Sequence, residues 1–88
     1  MSRVFEFDAV KSAANKAKHG IDFVTAQRLW DDDDLLVIST CFIDELRTLA
    51  IGVIDGKTWT AVITHRGSFI RIISVRRART KEILLYES

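Results

Sequence analysis

Apolar residues along this chain recur at two periods, and the period changes near residue 35. Val10, Ala13, Ala14 and Ala17 stand at i, i+3, i+4 and i+7, the spacing of one helix face. Lys11, Asn15 and Lys18 form a polar stripe beside it. Asp8 is placed to cap this first helix and Gly20 to stop it. Asp22 is placed to cap a second helix that turns Phe23, Ala26, Leu29 and Trp30 inward. Before both, Phe5 to Phe7 alternates apolar, charged, apolar, as a short edge strand would.

After residue 35 the pattern is that of strands. Leu35 to Phe42 is rich in β-branched residues, and Asp44 and Glu45 mark a turn. Leu46 to Ile54, Lys57 to Arg66 and Phe69 to Arg76 form a meander, joined by Asp55-Gly56 and Gly67-Ser68 as two-residue turns. Ala78 to Glu87 reads as a closing helix, with Ile83, Leu84 and Tyr86 towards the sheet. The expected class is α+β: two N-terminal helices, an antiparallel meander of about four strands and a C-terminal helix. An 88-residue chain without proline, repeats or low-complexity tracts reads as a single domain spanning 1–88. A chain of this size buries only about 60% of its unfolded surface, which leaves room for one small core.

The two-residue turns fix a register. Ile54 pairs with Lys57 and Arg66 with Phe69, which sets Thr64 opposite both Arg47 and Arg71. Arg47, Arg66 and Arg71 then gather at one end of one sheet face. The same count sets Trp59 across from Arg76, within reach of a cation–π contact, and puts His65 on the face opposite Arg66. A one-residue bulge would reverse these facings.

Charge sharpens this picture. The formal net charge is only +1, but it is segregated. Residues 65–88 carry six Lys/Arg against two Glu, or +4; the other 64 residues carry seven basic against ten acidic groups, or −3. Such a patch suits a polyanion; the competing reading is a solvated face ion-paired to the acidic half, with Glu45 and Glu82 as counter-ions. Planar guanidinium forks fit phosphate. RNA can be cut without a metal if the 2′-OH is held in line with the adjacent phosphorus and the growing negative charge is stabilised. The run Asp31 to Asp34 reads as a solvated acidic turn. His19 suits the end of the first helix, and the two histidines make no metal motif. Cys41 stands alone in an apolar run, a small buried hydrophobe rather than half of a disulfide. No segment has transmembrane length, the N-terminus does not read as a signal peptide, no cofactor motif stands out, and a reducing cytoplasm fits best.

Two stretches carry a resemblance. NKAKHGIDFVTAQRLWDD resembles the N-terminal signature of the BrnT family, and THRGSFIRIISVRRARTKEILLYE its C-terminal signature. The resemblance spans nearly the whole chain. It implies a RelE-like fold and a type II toxin, a ribonuclease that inhibits translation. It also implies a BrnA-type antitoxin as partner in a hetero-oligomer, with DNA reached only through that antitoxin. By position, Arg66 matches the arginine of the RG turn, Arg76 and Arg77 the RRA pair, Lys18 and His19 the KHG step, and Glu82 the glutamate of the last helix. Arg66, Arg76, Arg77 and Glu82 are therefore the candidate catalytic set, with Glu82 either a base or an orienter of an arginine. Lys18, His19, Arg47, Arg71, Arg79 and Lys81 are the candidate RNA- and phosphate-binding set. The Ile43 to Glu45 connection is shorter than the family's usual acidic loop, and His65 inherits no role. The alternative reading is a non-catalytic module that binds nucleic acid or protein through the same basic patch.

Overall fold

The structure, a computed structural model, describes residues 4–42 and 45–88. Its elements are strand β1 (Val4–Glu6), helix α1 (Ala9–His19), helix α2 (Phe23–Ala26) running into a 3₁₀ segment (Gln27–Asp31), strands β2 (Leu36–Phe42), β3 (Glu45–Ile54), β4 (Lys57–Arg66) and β5 (Phe69–Arg77), and helix α3 (Thr80–Glu87). The class is α+β, as expected. The sheet has five strands in the order β1-β5-β4-β3-β2: the antiparallel meander plus β1, which pairs parallel with β5.

The local signals act where the sequence places them. Asp8 accepts hydrogen bonds from the Val10 and Lys11 amides, and Asp22 from the Thr25 amide at 2.7 Å. Gly20 ends α1 at φ 83°, donating its amide to the Lys16 carbonyl. Asp55 and Gly56 both take positive φ, 51° and 80°, the geometry that lets a two-residue turn match the twist of its flanking strands. The connection at Ile43 and Asp44 lies outside the described residues, as do the side chains of Cys41 and Glu45 together with the expectations placed on them.

The sheet has two unlike faces. Trp59, Ala61, Ile63, Ile70, Ile72 and Val75 point to one, and with Ile21, Phe23, Ala26 and Leu29 they form the main core. Phe5 and Trp30, and Phe7 and Phe23, meet edge to face at its margin, with ring centroids 4.9 and 5.8 Å apart. We call this the helix face. On the other face, Leu49, Ile51 and Thr60 are buried where α3 lies over β3 and β4. We call this the α3 face. Ile83 and Tyr86 are half-buried there, but Leu84, expected on the sheet, is exposed.

Helix α1 corrects the apolar-face expectation. Val10, Ala13, Ala14 and Ala17 are exposed, and the buried stripe is Ser12 and Asn15. Alanine methyls bury little area, whereas buried backbone groups left unbonded cost about 1–3 kcal/mol each. β1 pairs with β5 only from Phe69 to Arg71, so farther along, the outer edge of β5 needs another partner. Asn15 supplies it. Its Oδ1 accepts from the Val75 amide at 3.1 Å, and its Nδ2 donates to the Val75 and Ile21 carbonyls at 2.9 and 2.8 Å. Ser12 Oγ accepts from the Phe23 amide at 2.9 Å.

Candidate phosphate-binding site

Sequence counting of the register holds at the turn end of the sheet. Thr64 lies opposite Arg71 and Arg66 opposite Phe69. Then β5 bulges. Val62 faces Ser74 and Ile63 faces Ile72, so Ile73 is the extra residue. Beyond it every side chain on β5 is displaced by one. Arg76 is opposite Thr60 on the α3 face, and Arg77, not Arg76, faces Trp59. The cation–π contact expected of Arg76 is therefore made by Arg77, whose guanidinium carbon lies 5.4 Å from the Trp59 ring centroid.

The bulge puts Arg66, Arg71 and Arg76 on one face, at two stations. The first joins three elements. Glu6 on β1 is the cross-strand neighbour of Arg71 on β5, and Arg66 ends β4 beside them. Glu6 Oε1 lies 3.5 Å from both Arg66 Nε and Arg71 Nη1. These are ion-pair distances, longer than the ~2.8 Å of a charge-assisted hydrogen bond, and Oε1 is buried without a hydrogen-bond partner. The Arg66 side chain is 62% exposed and so free to swing. Arg47, half-buried on β3, shares this face by alternation with Leu49 and Ile51.

The second station lies five residues along β5, about 15 Å away at the rise of a strand. Arg76 and Glu82 make a fork-to-fork pair, with Nη1 to Oε1 and Nη2 to Oε2 both at 2.8 Å. The Thr60 hydroxyl donates to the same Oε1 at 3.0 Å, and the Arg79 amide at 2.8 Å, which closes the first turn of α3. The Arg76 guanidinium, working against partial burial and helped by the Arg79 amide and Thr60, holds the Glu82 carboxyl down at about 2. Arg76 is held above its ordinary value by the same pair. Glu82 orients Arg76 and fastens α3 to the sheet. A carboxylate so acidic and so fully engaged is a poor acceptor for a proton near neutrality.

The remaining candidates are dispersed. Arg79 and Lys81 are exposed at the start of α3. Lys18 is exposed and His19 half-buried in the last turn of α1, in the layer over the helix face. His65 is exposed on β4, opposite Ile70 and on the side away from Arg66.

The acidic run is only partly a solvated turn. Asp31, Asp33 and Asp34 are exposed, but Asp32 is half-buried. Its Oδ2 accepts from the Val53 amide at 2.9 Å and the Tyr86 hydroxyl at 2.5 Å, and its Oδ1 from the Asp34 amide at 2.9 Å. Burial pushes its carboxyl up, but these three donors outweigh that and hold it below the usual range. Tyr86 is correspondingly pushed up to about 12, first by its bond to Asp32. Gly52 makes the approach feasible, since a Cβ there would stand 3.2 Å from Asp32 Oδ2 and 3.1 Å from a Leu35 methyl. A hollow between Arg28, Asp31 to Asp34 and Asp55 is dominated by carboxylates and would repel phosphate. Among the described residues, no group of three or more His, Cys, Asp or Glu is placed to hold a metal ion. No helix among them is long and apolar enough to cross a membrane.

A family model described as the ribonuclease toxin BrnT of type II toxin–antitoxin systems matches residues 7–82, most of the 88-residue chain. The chain belongs to the BrnT family. A search of curated proteins returned no match. Membership makes the protein a ribonuclease toxin of a type II pair, with RNA as its target and an antitoxin as its partner. Glu6 is the member of the arginine site that sequence reading missed. Its one signal, a charge between two phenylalanines, located an edge strand but not the neighbour of that strand.

Proposed function

We propose that this BrnT toxin cleaves RNA without a metal ion, inhibits translation in the cytoplasm and is neutralised by a BrnA-like antitoxin. In this reading the antitoxin covers the basic face in a hetero-oligomer and alone contacts DNA, and residues 1–88 act as one domain. The observation that carries the reading is the placement of Arg66, Arg71 and Arg76 on one face of one strand pair. A rigid β ladder holds two guanidinium stations at a fixed spacing of about 15 Å, which suits phosphates about two steps apart on an extended single strand. Arg66 and Arg76 bind and polarise phosphate on this face, with Glu82 orienting Arg76, and Arg77 adds its charge from the opposite face, beside Trp59. Lys18, His19, Arg47, Arg71, Arg79 and Lys81 add positive charge or donors around them.

The reaction is a transesterification. The ribose 2′-oxygen attacks the adjacent phosphorus, the bond to the 5′-oxygen breaks, and a 2′,3′-cyclic phosphate and a 5′-hydroxyl result. The arginines stabilise the charge that grows on the non-bridging oxygens. Cleavage by the purified, antitoxin-free chain in EDTA tests this, on naked RNA and on translating ribosomes. Arg76→Ala with Arg77→Ala is expected to abolish cleavage. Because Arg76 also holds Glu82, Arg66→Ala and Arg77→Ala alone serve as controls that leave that pair intact. RNA bound with a steep salt dependence but left whole in both settings would instead support a binding module.

A further inference from the structure

A 2′-hydroxyl attacks as its proton leaves, so a base has to stand beside the phosphate ligands. Among the described residues, two carboxylates pair with Arg66, Arg71 and Arg76. Glu82 is spent: Arg76 Nη1 and Nη2, the Arg79 amide and the Thr60 hydroxyl all bond to it. Glu6 differs on every count. Oε1 has no hydrogen-bond donor, its two guanidinium neighbours stand off at 3.5 Å, and one of them, Arg66, is largely solvent-exposed. His65, a third conceivable base, projects to the other face.

We propose that Glu6 is the general base of the ribonuclease, acting on a phosphodiester held by Arg66 and Arg71. A phosphate drawing those guanidiniums to hydrogen-bond distance would place its 2′-hydroxyl neighbour within reach of a carboxylate that already lies beside both. Glu6 takes the 2′-OH proton as the O2′–P bond forms. The P–O5′ bond breaks, and solvent protonates the departing 5′-oxygen. The station is preorganised because β1 and β5 are hydrogen-bonded neighbours at Glu6 and Arg71. Among the described residues, the charged groups within ion-pair distance of Glu6 are Arg71 from β5 and Arg66 from β4.

This rests on the ribonuclease reading, and the test separates the two. Single-turnover cleavage is measured from acid to alkaline pH on an oligodeoxynucleotide carrying one ribonucleotide, with ribosome-bound RNA run in parallel. Affinity is measured on the all-deoxy analogue, which cannot react. Glu6→Gln is expected to lower the rate by roughly 100-fold or more, the usual yield of a general base. It should bind the analogue as tightly as wild type or tighter, and it should lack the decline in rate that protonation of a base causes at acid pH. Glu6→Ala should regain cleavage on addition of formate, so the proposal stays testable if the glutamine variant folds poorly. A Glu6→Gln rate within threefold of wild type, or a slower enzyme that keeps the acid-side decline, overturns the assignment and leaves a ribonuclease with another base. Wild-type protein that cuts neither substrate overturns the ribonuclease reading and the assignment with it.

Discussion

The two arginine–carboxylate stations use the same residue types for opposite ends. At Arg76 and Glu82 the pair is fork-to-fork at 2.8 Å, with side chains only 23% and 12% exposed and further donors on the carboxylate. At Arg66, Arg71 and Glu6 one carboxylate oxygen is shared at 3.5 Å by two guanidiniums, and Arg66 is mostly in water. The first is closed and stabilises the fold. The second is open, so an incoming anion can improve on the contacts already there. An ion pair seen in a basic patch is therefore not evidence against ligand binding until its geometry is read.

Separate losses at the two stations would sharpen that contrast most. Arg66→Ala is expected to lower RNA cleavage by on the order of 100-fold, as removal of one charge-stabilising donor does, with an unchanged melting temperature. Arg76→Ala is expected to cost about 3 kcal/mol of stability, because it strands a part-buried carboxylate. That is roughly 15 °C in Tm for a domain of this size. Calorimetry beside single-turnover assays reads both. Equal melting losses in the two variants would break the comparison.

Acid should loosen the closed station. The folded Glu82 carboxyl sits at about 2, below its unfolded value near 4.5. Its stabilisation is thus complete above about pH 5 and is lost as pH falls towards about 2. Glu82→Gln should be less stable than wild type at neutral pH and should show a flatter acid limb in urea titrations. Parallel limbs would place the acid sensitivity elsewhere.

Much of this architecture was legible in the chain. The meander and its turns, the caps at Asp8 and Asp22 and the stop at Gly20 rest on local chemistry that overrides little else. The reversal of Arg76 and Arg77 was not legible, because Ile73 looks like any strand residue and a bulge is chosen by packing on both faces. Asn15 misled for a related reason. Its partners are the Val75 amide and carbonyl 60 residues away, and no helical period reveals a strand edge that needs closing. The candidate site was half legible. The arginines announced themselves by charge, but Glu6 acquires meaning only when the parallel pairing of β1 sets it against Arg71.

Smaller effects test the scaffold under the stations. Asn15→Leu should cost about 2 kcal/mol by leaving Val75 backbone groups buried and unbonded, and should speed hydrogen exchange at the Val75 amide before any other in β5. Tyr86→Phe should cost about 1.5 kcal/mol, the low end of the worth of one hydrogen bond to a charged group, with cleavage unaffected. A Tyr86 variant that lost cleavage would tie α3 to the chemistry more closely than the geometry does.

The most direct measurement is the chemistry of the RNA ends left by the purified, antitoxin-free chain in EDTA, on naked RNA and on translating ribosomes. A 2′,3′-cyclic phosphate with a 5′-hydroxyl is the expected pair of ends. RNA left intact in both settings, or cut to 5′-phosphate ends, would contradict an arginine-based transesterification.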